Sequence, residues 1–450
     1  MIKMGLIQAA ALLECGSLYD NTVFTGITTD SRQVTPGMLF AALPGQNFDG
    51  HDYIEQAEKQ GAVAALVSRS VETEIPVLKV TDVLDALGVL AADWRQSCPA
   101  KVVGITGSNG KTTVKEMVAS VLRQEATVLA TKGNFNNELG LPLTLFQLSK
   151  SHDYAVLEMG ASNPGDIAYL TRIARPQIGI VNNIGPAHLQ GFINEEGVAR
   201  AKGEMFAALP ADGVAIINAA EPWVDLWLEM NKAGSIYYFN GDGEDHIQAS
   251  HTDDGVVVNT PVGEFLLELP LPGQHNLANA LAATAVCLAL DIPIFQIKAG
   301  LEAVKPVPGR LSLVHAHSGW TVIDDTYNAN PASLYAALQV LSNQDGEPWL
   351  VLGDMKELGT DSHKMHAELG DAARTLGVKR LFALGDSSTA TVEAFGDHAM
   401  HFKSRKDLIK ALRTQLKPGV ACLVKGSRSM GMEHVVSAIS NGQANLEVNG

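Results

Sequence analysis

Cysteine, positive charge and long apolar runs are all scarce in this chain. Four cysteines occur in 450 residues, at positions 15, 98, 287 and 422. They lie far apart with no paired metal spacing, so they read as reduced, mostly buried thiols of a cytosolic protein. Against 33 Lys and Arg there are 49 Asp and Glu, a formal charge of -16. That balance argues against nucleic acid or an anionic membrane as the main partner. Any polyanionic ligand must be held by a few local cations and backbone N–H groups. The longest apolar candidate, Ala278 to Leu290, is about half the length of a membrane span and contains Asn279 and Thr284. The apolar run Met4 to Leu13 is interrupted by Gln8 and closed by Glu14. It reads as an amphipathic helix ended by Gly16 rather than as a signal peptide or anchor. Tandem repeats and low-complexity segments are lacking too.

What is present is an ordinary globular composition. Hydrophobic residues make up 46% and charged residues 18%, which excludes a disordered chain. At roughly 150 residues per domain, the length suggests about three domains. The first ~80 residues read as short strands and turns, with strands at 38–43, 64–67 and 77–80 and a helix over 53–60. From Thr81 the pattern becomes α/β. Val102–Ile105, Tyr154–Leu157 and Ile178–Val181 suit buried parallel strands, and Asp253-Asp254-Gly255 suits a hairpin turn. Val307-Pro308-Gly309-Arg310 reads as a linker. Beyond it, strands near 322–324, 350–352, 381–384 and 422–424 alternate with helices starting near 331, 362, 405 and 432, a smaller doubly wound domain. The expected division is 1–81, 82–310 and 311–450, all α/β.

The sharpest motif is Gly104-Ile105-Thr106-Gly107-Ser108-Asn109-Gly110-Lys111-Thr112-Thr113. It follows a strand and opens a helix. Glycines let the backbone wrap a phosphate, the helix N-terminus supplies N–H donors, and Lys111 supplies a cation. Thr112 can offer its hydroxyl to Mg²⁺. The strict P-loop spacing is not met, because Ile105 sits where the first glycine belongs. Glu158 ends the strand 154–157, where Mg²⁺ needs an anionic ligand or where an ordinary strand-end charge would sit. His188 follows the strand 178–181 and suits either a ligand or a structural hydrogen bond. Lys202 sits at the edge of a helical stripe made by Val198, Ala201, Met205 and Leu209. It is either a snorkelling surface lysine or a desolvated amine able to react with carbon dioxide, giving a carbamate.

Polar residues also crowd Lys132–Asn137, Pro272–Asn279, Asp324–Pro331 and Lys425–Arg428. Each can be a site or a plain turn. Asn276 suits a helix cap, and Pro331 suits the first turn of a helix. His363 and His366 share a helix face, which Asp361 and Lys364 suggest is solvated.

Taken together, Thr106–Thr113, Glu158, His188 with Lys202, His275-Asn276-x-x-Asn279 and Pro308-Gly309-Arg310 occur here in the order in which the muramyl peptide ligases carry them. The chain resembles that family over all three inferred domains. The stretches 324–330, 353–359 and 425–429 are similar to the branch that adds D-alanyl-D-alanine. Thr29-Asp30-Ser31-Arg32 resembles the uridine-nucleotide-binding N-terminal unit.

The resemblance implies a UDP-binding N-terminal domain, a P-loop ATPase-like central domain and a Rossmann-like C-terminal domain. It implies ligation of D-alanyl-D-alanine to a UDP-N-acetylmuramoyl-tripeptide with ATP and Mg²⁺, by a cytoplasmic monomer free of nucleic acid and membrane anchor. By the same resemblance, Gly107, Ser108, Asn109, Gly110, Lys111, Thr112 and Thr113 face the nucleotide phosphates, and Asn134 faces nucleotide or substrate. His275, Asn276 and Asn279 lie near adenine, and Asp324 near ribose. Thr112 and Glu158 hold one magnesium; His188 and carbamylated Lys202 hold a second. Arg310 reaches phosphate from the domain junction. Ser31, Arg32, Gln46 and Asn47 contact the UDP-sugar, Asn136 and Asn137 the nucleotide or substrate, and Tyr327, Asn328, Asn330 and Arg428 the dipeptide.

Overall fold

In a computed structural model, residues 1–16, 22–45, 48–185, 192, 194–316 and 318–440 are described. The central element is a six-stranded parallel sheet with the order Ser235–Phe239, Val214–Asn218, Ile178–Val181, Lys101–Thr106, Tyr154–Glu158, Val128–Ala130. Its strands are near-continuous apolar runs because helices cover both faces. Val83–Gln96, Asp166–Ala174 and Glu195–Ala207 pack on one face; Lys111–Leu122, Gln274–Leu288 and Ile294–Glu302 pack on the other. The chain runs to one side of Lys101–Thr106 and then crosses to the other. The carboxyl end of that strand therefore lies at a topological switch point, where α/β sheets bind ligands.

The Lys111–Leu122 helix is pinned from behind by Ile294–Glu302. Ser120 donates to the Gly300 carbonyl at 2.7 Å, and Gln124 to the Gln296 carbonyl at 2.8 Å. A Cβ on Gly300 would come within 2.4 Å of Val121 Cα, so glycine is required for this approach. Buried aliphatic side chains such as Val114, Val118 and Val121 contribute about 1.5–3 kcal/mol each. The glycine-rich loop therefore stands on a rigid base.

The second six-stranded sheet has the order Ser312–His315, Thr321–Asp325, Val420–Lys425, Glu347–Gly353, Arg380–Leu384, Ala399–Phe402, and the first of these strands is antiparallel. Its register sets Asp325 opposite Lys425 at the carboxyl edge. The N-terminal part holds a four-stranded parallel sheet, Ile27–Thr28, Leu39–Ala41, Ala64–Val67 and Val77–Lys79. One face of it shares a continuous core with Val83–Gln96 and the central sheet. A three-stranded antiparallel sheet, Gln248–Thr252, Gly255–Thr260 and Gly263–Leu267, supplies the expected hairpin.

Two expectations are corrected. The run 4–13 is not one helix: Lys3–Gly5 is a strand paired with Val23–Thr25, and the helix is only Leu6–Leu12. His366 is not solvated. It is fully buried, receives the Met355 N–H at its Nε2 (3.1 Å) and faces the Ser362 carbonyl through Nδ1 (2.7 Å). Three of the four cysteines are buried and all are free thiols. Among the described residues, no helix is long and apolar enough to cross a membrane.

Candidate active site

The strand Lys101–Thr106 delivers the glycine-rich loop to the mouth of a cleft of about 850 Å³ between the two six-stranded sheets. Gly110 caps the following helix with φ +78°. A Cβ there would lie 2.3 Å from Asn279 Oδ1 and 2.4 Å from Asn182 Nδ2, so both the turn and the space demand glycine. Asn183 braces the loop: its carbonyl accepts from Ser108 N (2.9 Å), and its side chain from Asn109 N (2.8 Å). The first-turn N–H groups of the helix are left for an anion. Lys111 curls over the loop, donating to the Gly107 carbonyl at 2.7 Å and the Ser108 carbonyl at 3.3 Å. Burial pushes its pKa down; the Glu158 charge opposes that shift, and Arg310 adds to it.

Below the loop, the buried Thr112 hydroxyl donates to Glu158 Oε2 at 2.8 Å, and Asn136 Nδ2 donates to Glu158 Oε1 at 2.7 Å. Arg310 reaches in from the linker: its Nη2 donates to the Thr112 hydroxyl at 2.8 Å, and its guanidinium lies 4.0 Å over the Tyr327 ring. These oxygen atoms are a hard donor set of the kind Mg²⁺ takes. Among the described residues, no group of three His, Cys, Asp or Glu forms a ready-made metal cluster.

Lys202, like Gly107, does not line the cleft. Asn194 caps the helix Glu195–Ala207 by accepting from Gly197 N, and the helix buries Val198, Ala201, Met205 and Lys202 alike. Lys202 is 2% exposed, so the snorkelling reading is ruled out. Burial, helped by the charge of Lys111 and opposed by Asp166, pushes its pKa down to about 7.

The opposite wall comes from the C-terminal sheet. Asp325 and Lys425 form a buried ion pair, and Lys425 also donates to the Asn328 carbonyl at 2.9 Å. Asn330 caps the helix Pro331–Ser342 in a reciprocal box with Ser333, and its amide donates across the cleft to Asn109 Oδ1 at 2.8 Å. His275 lines the cleft from the central side, its pKa lowered by burial. Asn276 does not cap its helix. It donates to the Pro272 carbonyl (2.7 Å), accepts from Asn279 (3.3 Å), and Asn279 in turn accepts from Asn182 (2.8 Å).

Most of the sequence-based candidates therefore converge. Ser108, Asn109, Gly110, Lys111, Thr113, Asn134, Asn136, Asn137, Glu158, His275, Asn276, Asn279, Arg310, Tyr327, Asn328, Asn330 and Arg428 line the cleft. Thr112 lies just beneath it through its bonds to Glu158 and Arg310. Asp324 does not line it: its carboxylate accepts from the Thr326 hydroxyl at 2.6 Å, and Asp325 takes the cleft position instead. Arg428 is exposed and ion-paired with Glu433 at 3.0 Å. Ser31 and Arg32 lie off the cleft, after the strand Ile27–Thr28. There Ser31 donates to Gln56 (2.9 Å), and Arg32 pairs with Asp30 (2.8 Å). His188, Gln46 and Asn47 fall outside the described residues. Sequence reasoning gave no role to Asn182, Asn183 or Glu221, and it left Asp325 and Lys425 inside clusters that could be a site or a plain turn. Glu221 is a cleft carboxylate that accepts from Ile184 N at 3.1 Å and whose pKa is raised by burial.

Comparison with known proteins agrees with this geometry. Family models match residues 23–95 (Mur ligase family, catalytic domain), 105–287 (Mur ligase middle domain) and 309–428 (Mur ligase, glutamate ligase domain). The UDP-N-acetylmuramoyl-tripeptide--D-alanyl-D-alanine ligase of Escherichia coli (strain K12) is 42% identical, over 98% of this chain and 99% of the relative. A crystal structure of MurF from Acinetobacter baumannii is similar with a TM-score of 0.90 at 35% identity, over 98% of this chain and 99% of that one. MurF ligase from Thermotoga maritima, solved in complex with ADP, matches with a TM-score of 0.81 at 28% identity, over 92% of this chain and 97% of that one. With its glycine-rich loop, its linker arginine and its two facing sheets accounted for along nearly its whole length, the chain belongs to the Mur ligase family.

Proposed function

We propose that the chain is an ATP-dependent ligase that joins D-alanyl-D-alanine to UDP-N-acetylmuramoyl-tripeptide, giving the pentapeptide precursor of peptidoglycan, ADP and phosphate. The observation that carries this is the meeting of Lys111, Thr112, Glu158 and Arg310 at one point between two sheets. Full-length relatives with this activity in their names support the choice of substrates. The ADP complex of a structural relative supports the nucleotide.

A carboxylate is a poor electrophile, so the tripeptide's terminal carboxylate oxygen first attacks the γ-phosphorus of ATP, and ADP leaves. The amine of the dipeptide then attacks the acyl carbon. The tetrahedral adduct expels phosphate, and the amide remains. Both partners in the first step are anionic, so catalysis is chiefly charge neutralisation. Lys111 and the helix N-terminus hold the transferred phosphate from the central side, and Arg310 does so from the linker. Losing one such contact costs about 3–4 kcal/mol of transition-state stabilisation, about a hundredfold to a thousandfold in rate.

Thr112 and Glu158 suit the nucleotide's Mg²⁺, whose charge would offset that of the phosphates when bound. By family resemblance, His188 and Lys202 serve a second ion. Burial keeps a large share of Lys202 neutral near pH 7. The free amine can therefore add to carbon dioxide, form an N–C bond and lose a proton, which turns a cation into a carboxylate-like ligand. Residues 1–81 serve the UDP-sugar, with Ser31 and Arg32 at the carboxyl end of its sheet. Residues 82–310 serve ATP. Residues 311–450 serve the dipeptide through Asn328, Asn330 and Arg428. Asp325 replaces Asp324 as the ribose partner, because its side chain lines the cleft.

The test is phosphate release from ATP and Mg²⁺ with UDP-N-acetylmuramoyl-tripeptide, with and without D-alanyl-D-alanine. Release that needs both peptides is expected. Release indifferent to the dipeptide would contradict the reading.

A further inference from the structure

Arg310 makes two contacts of different kinds in the cleft. Its Nη2 donates to the Thr112 hydroxyl at 2.8 Å, and the face of its guanidinium lies on the Tyr327 ring, 4.0 Å from the centroid. Its Nε is buried and has no hydrogen-bond partner among the described residues. The guanidinium is thus half-buried, stacked and still holds an unspent donor.

The backbone is built to bring the two side chains together. Gly309 takes φ +75°, the Arg310 N–H closes a turn on the Val307 carbonyl at 3.0 Å, and the Tyr327 N–H donates to the Gly309 carbonyl at 3.0 Å. A Cβ on Gly309 would sit 3.2 Å from Tyr327 N, tighter than ordinary contact. The linker and the Tyr327 loop are therefore locked side by side.

The choice of an aromatic partner has a chemical consequence. A carboxylate beside Arg310 would hold it more firmly, but it would consume its N–H donors and cancel its charge. A ring face attracts a cation through its quadrupole and takes no hydrogen bond. With the ring as its partner, the Arg310 Nε stays free to donate, and the Nη2 bond to Thr112 can be exchanged for one to a phosphate oxygen.

We propose that Tyr327 is a positioning residue for phosphoryl transfer, its ring serving as the platform that aims Arg310, and not a contact for the dipeptide. The inference rests on the ligase reading above.

The test is steady-state kinetics of the full chain with ATP, tripeptide and dipeptide varied in turn, for Tyr327→Leu and Tyr327→Phe, each also in an Arg310→Gln background. Tyr327→Leu should lower kcat about tenfold, the size of a half-buried cation–ring contact, with the dipeptide KM changed less than about twofold. Tyr327→Phe should recover most of that loss, because the ring and not the hydroxyl acts. In the Arg310→Gln background, Tyr327→Leu should cost almost nothing further.

A raised dipeptide KM with kcat kept, a Tyr327→Phe as poor as Tyr327→Leu, or an undiminished cost in the Arg310→Gln background would each overturn the inference. Melting curves identify a Tyr327→Leu chain that has lost its fold, in which case Tyr327→Phe and Tyr327→Trp decide by whether an aromatic ring alone sustains turnover. A wild-type chain that fails to ligate would overturn the parent reading as well. One that ligates while the variants break the pattern would overturn this inference alone.

Discussion

Lys202 and Lys425 are each 2% exposed, one on a helix of the central domain and the other on the C-terminal sheet. Lys425 faces Asp325 across paired strands and donates to the Asn328 carbonyl, so its burial is compensated in place. Lys202 forms no ion pair among the described residues, and the nearby charge of Lys111 adds to its burden; its pKa falls to about 7. A buried charge that is paired holds a wall together. A buried charge left unpaired becomes a reactive amine. The C-terminal wall is therefore neutralised before ligand arrives, while the central wall keeps its ionisable groups poised.

Four substitutions would break or sharpen that contrast. The largest effect belongs to Lys111→Ala, which removes the cation proposed to hold the transferred phosphate. Ligation should fall about a thousandfold in a phosphate-release assay, and retained turnover would remove Lys111 from the chemistry. Next is Asp325→Ala, which strands Lys425. Urea unfolding should show a loss of about 3–5 kcal/mol, and pairing it with Lys425→Met should restore most of that loss.

Third is Lys202→Met. Between pH 7 and 10.5, the unfolded lysine holds a proton that the folded one has released, so wild-type stability rises with pH over that window. Methionine carries no such dependence. The variant should therefore gain most in melting temperature at and below pH 7, and the gain should vanish toward pH 10.5. A pH-independent difference, measured in buffer free of carbon dioxide, would show that Lys202 carries no burial penalty. The smallest is Asn330→Asp. It keeps the helix-capping oxygen but removes the amide that donates to Asn109. Stability should change by about 1 kcal/mol, with a few-fold fall in turnover as the bridge between the walls is lost.

Much of this site was legible in the chain because its residues are local to motifs. A strand, two glycines and Lys111 announce a phosphate loop, and Glu158 announces itself as a carboxylate at a strand end. Residues whose meaning is set by register were not legible. Asp324 and Asp325 are chemically identical, and successive side chains on a strand point to opposite faces. Only the pairing of Thr321–Asp325 with Val420–Lys425 turns Asp325 to Lys425 and the cleft. Lys202 remained open between two readings, because helical periodicity marks an edge position without saying what covers it. His366 was misread for a related reason. Its neighbours along the helix are charged, and His363 is exposed. The turn after Gly353, however, lays the Met355 N–H onto the His366 ring and buries it. The N-terminal helix was overextended because Met4 belongs to the strand pairing with Phe24, a contact that periodicity does not report.

The central claim is that phosphate passes through the tripeptide carboxylate in the cleft between the two walls. The direct measurement uses UDP-N-acetylmuramoyl-tripeptide labelled with ¹⁸O in its terminal carboxylate, with ATP, Mg²⁺ and D-alanyl-D-alanine, and mass analysis of the released phosphate. Attack of that oxygen on the γ-phosphorus, followed by displacement of phosphate by the amine, predicts one ¹⁸O atom in each phosphate released. Phosphate without label would contradict the account.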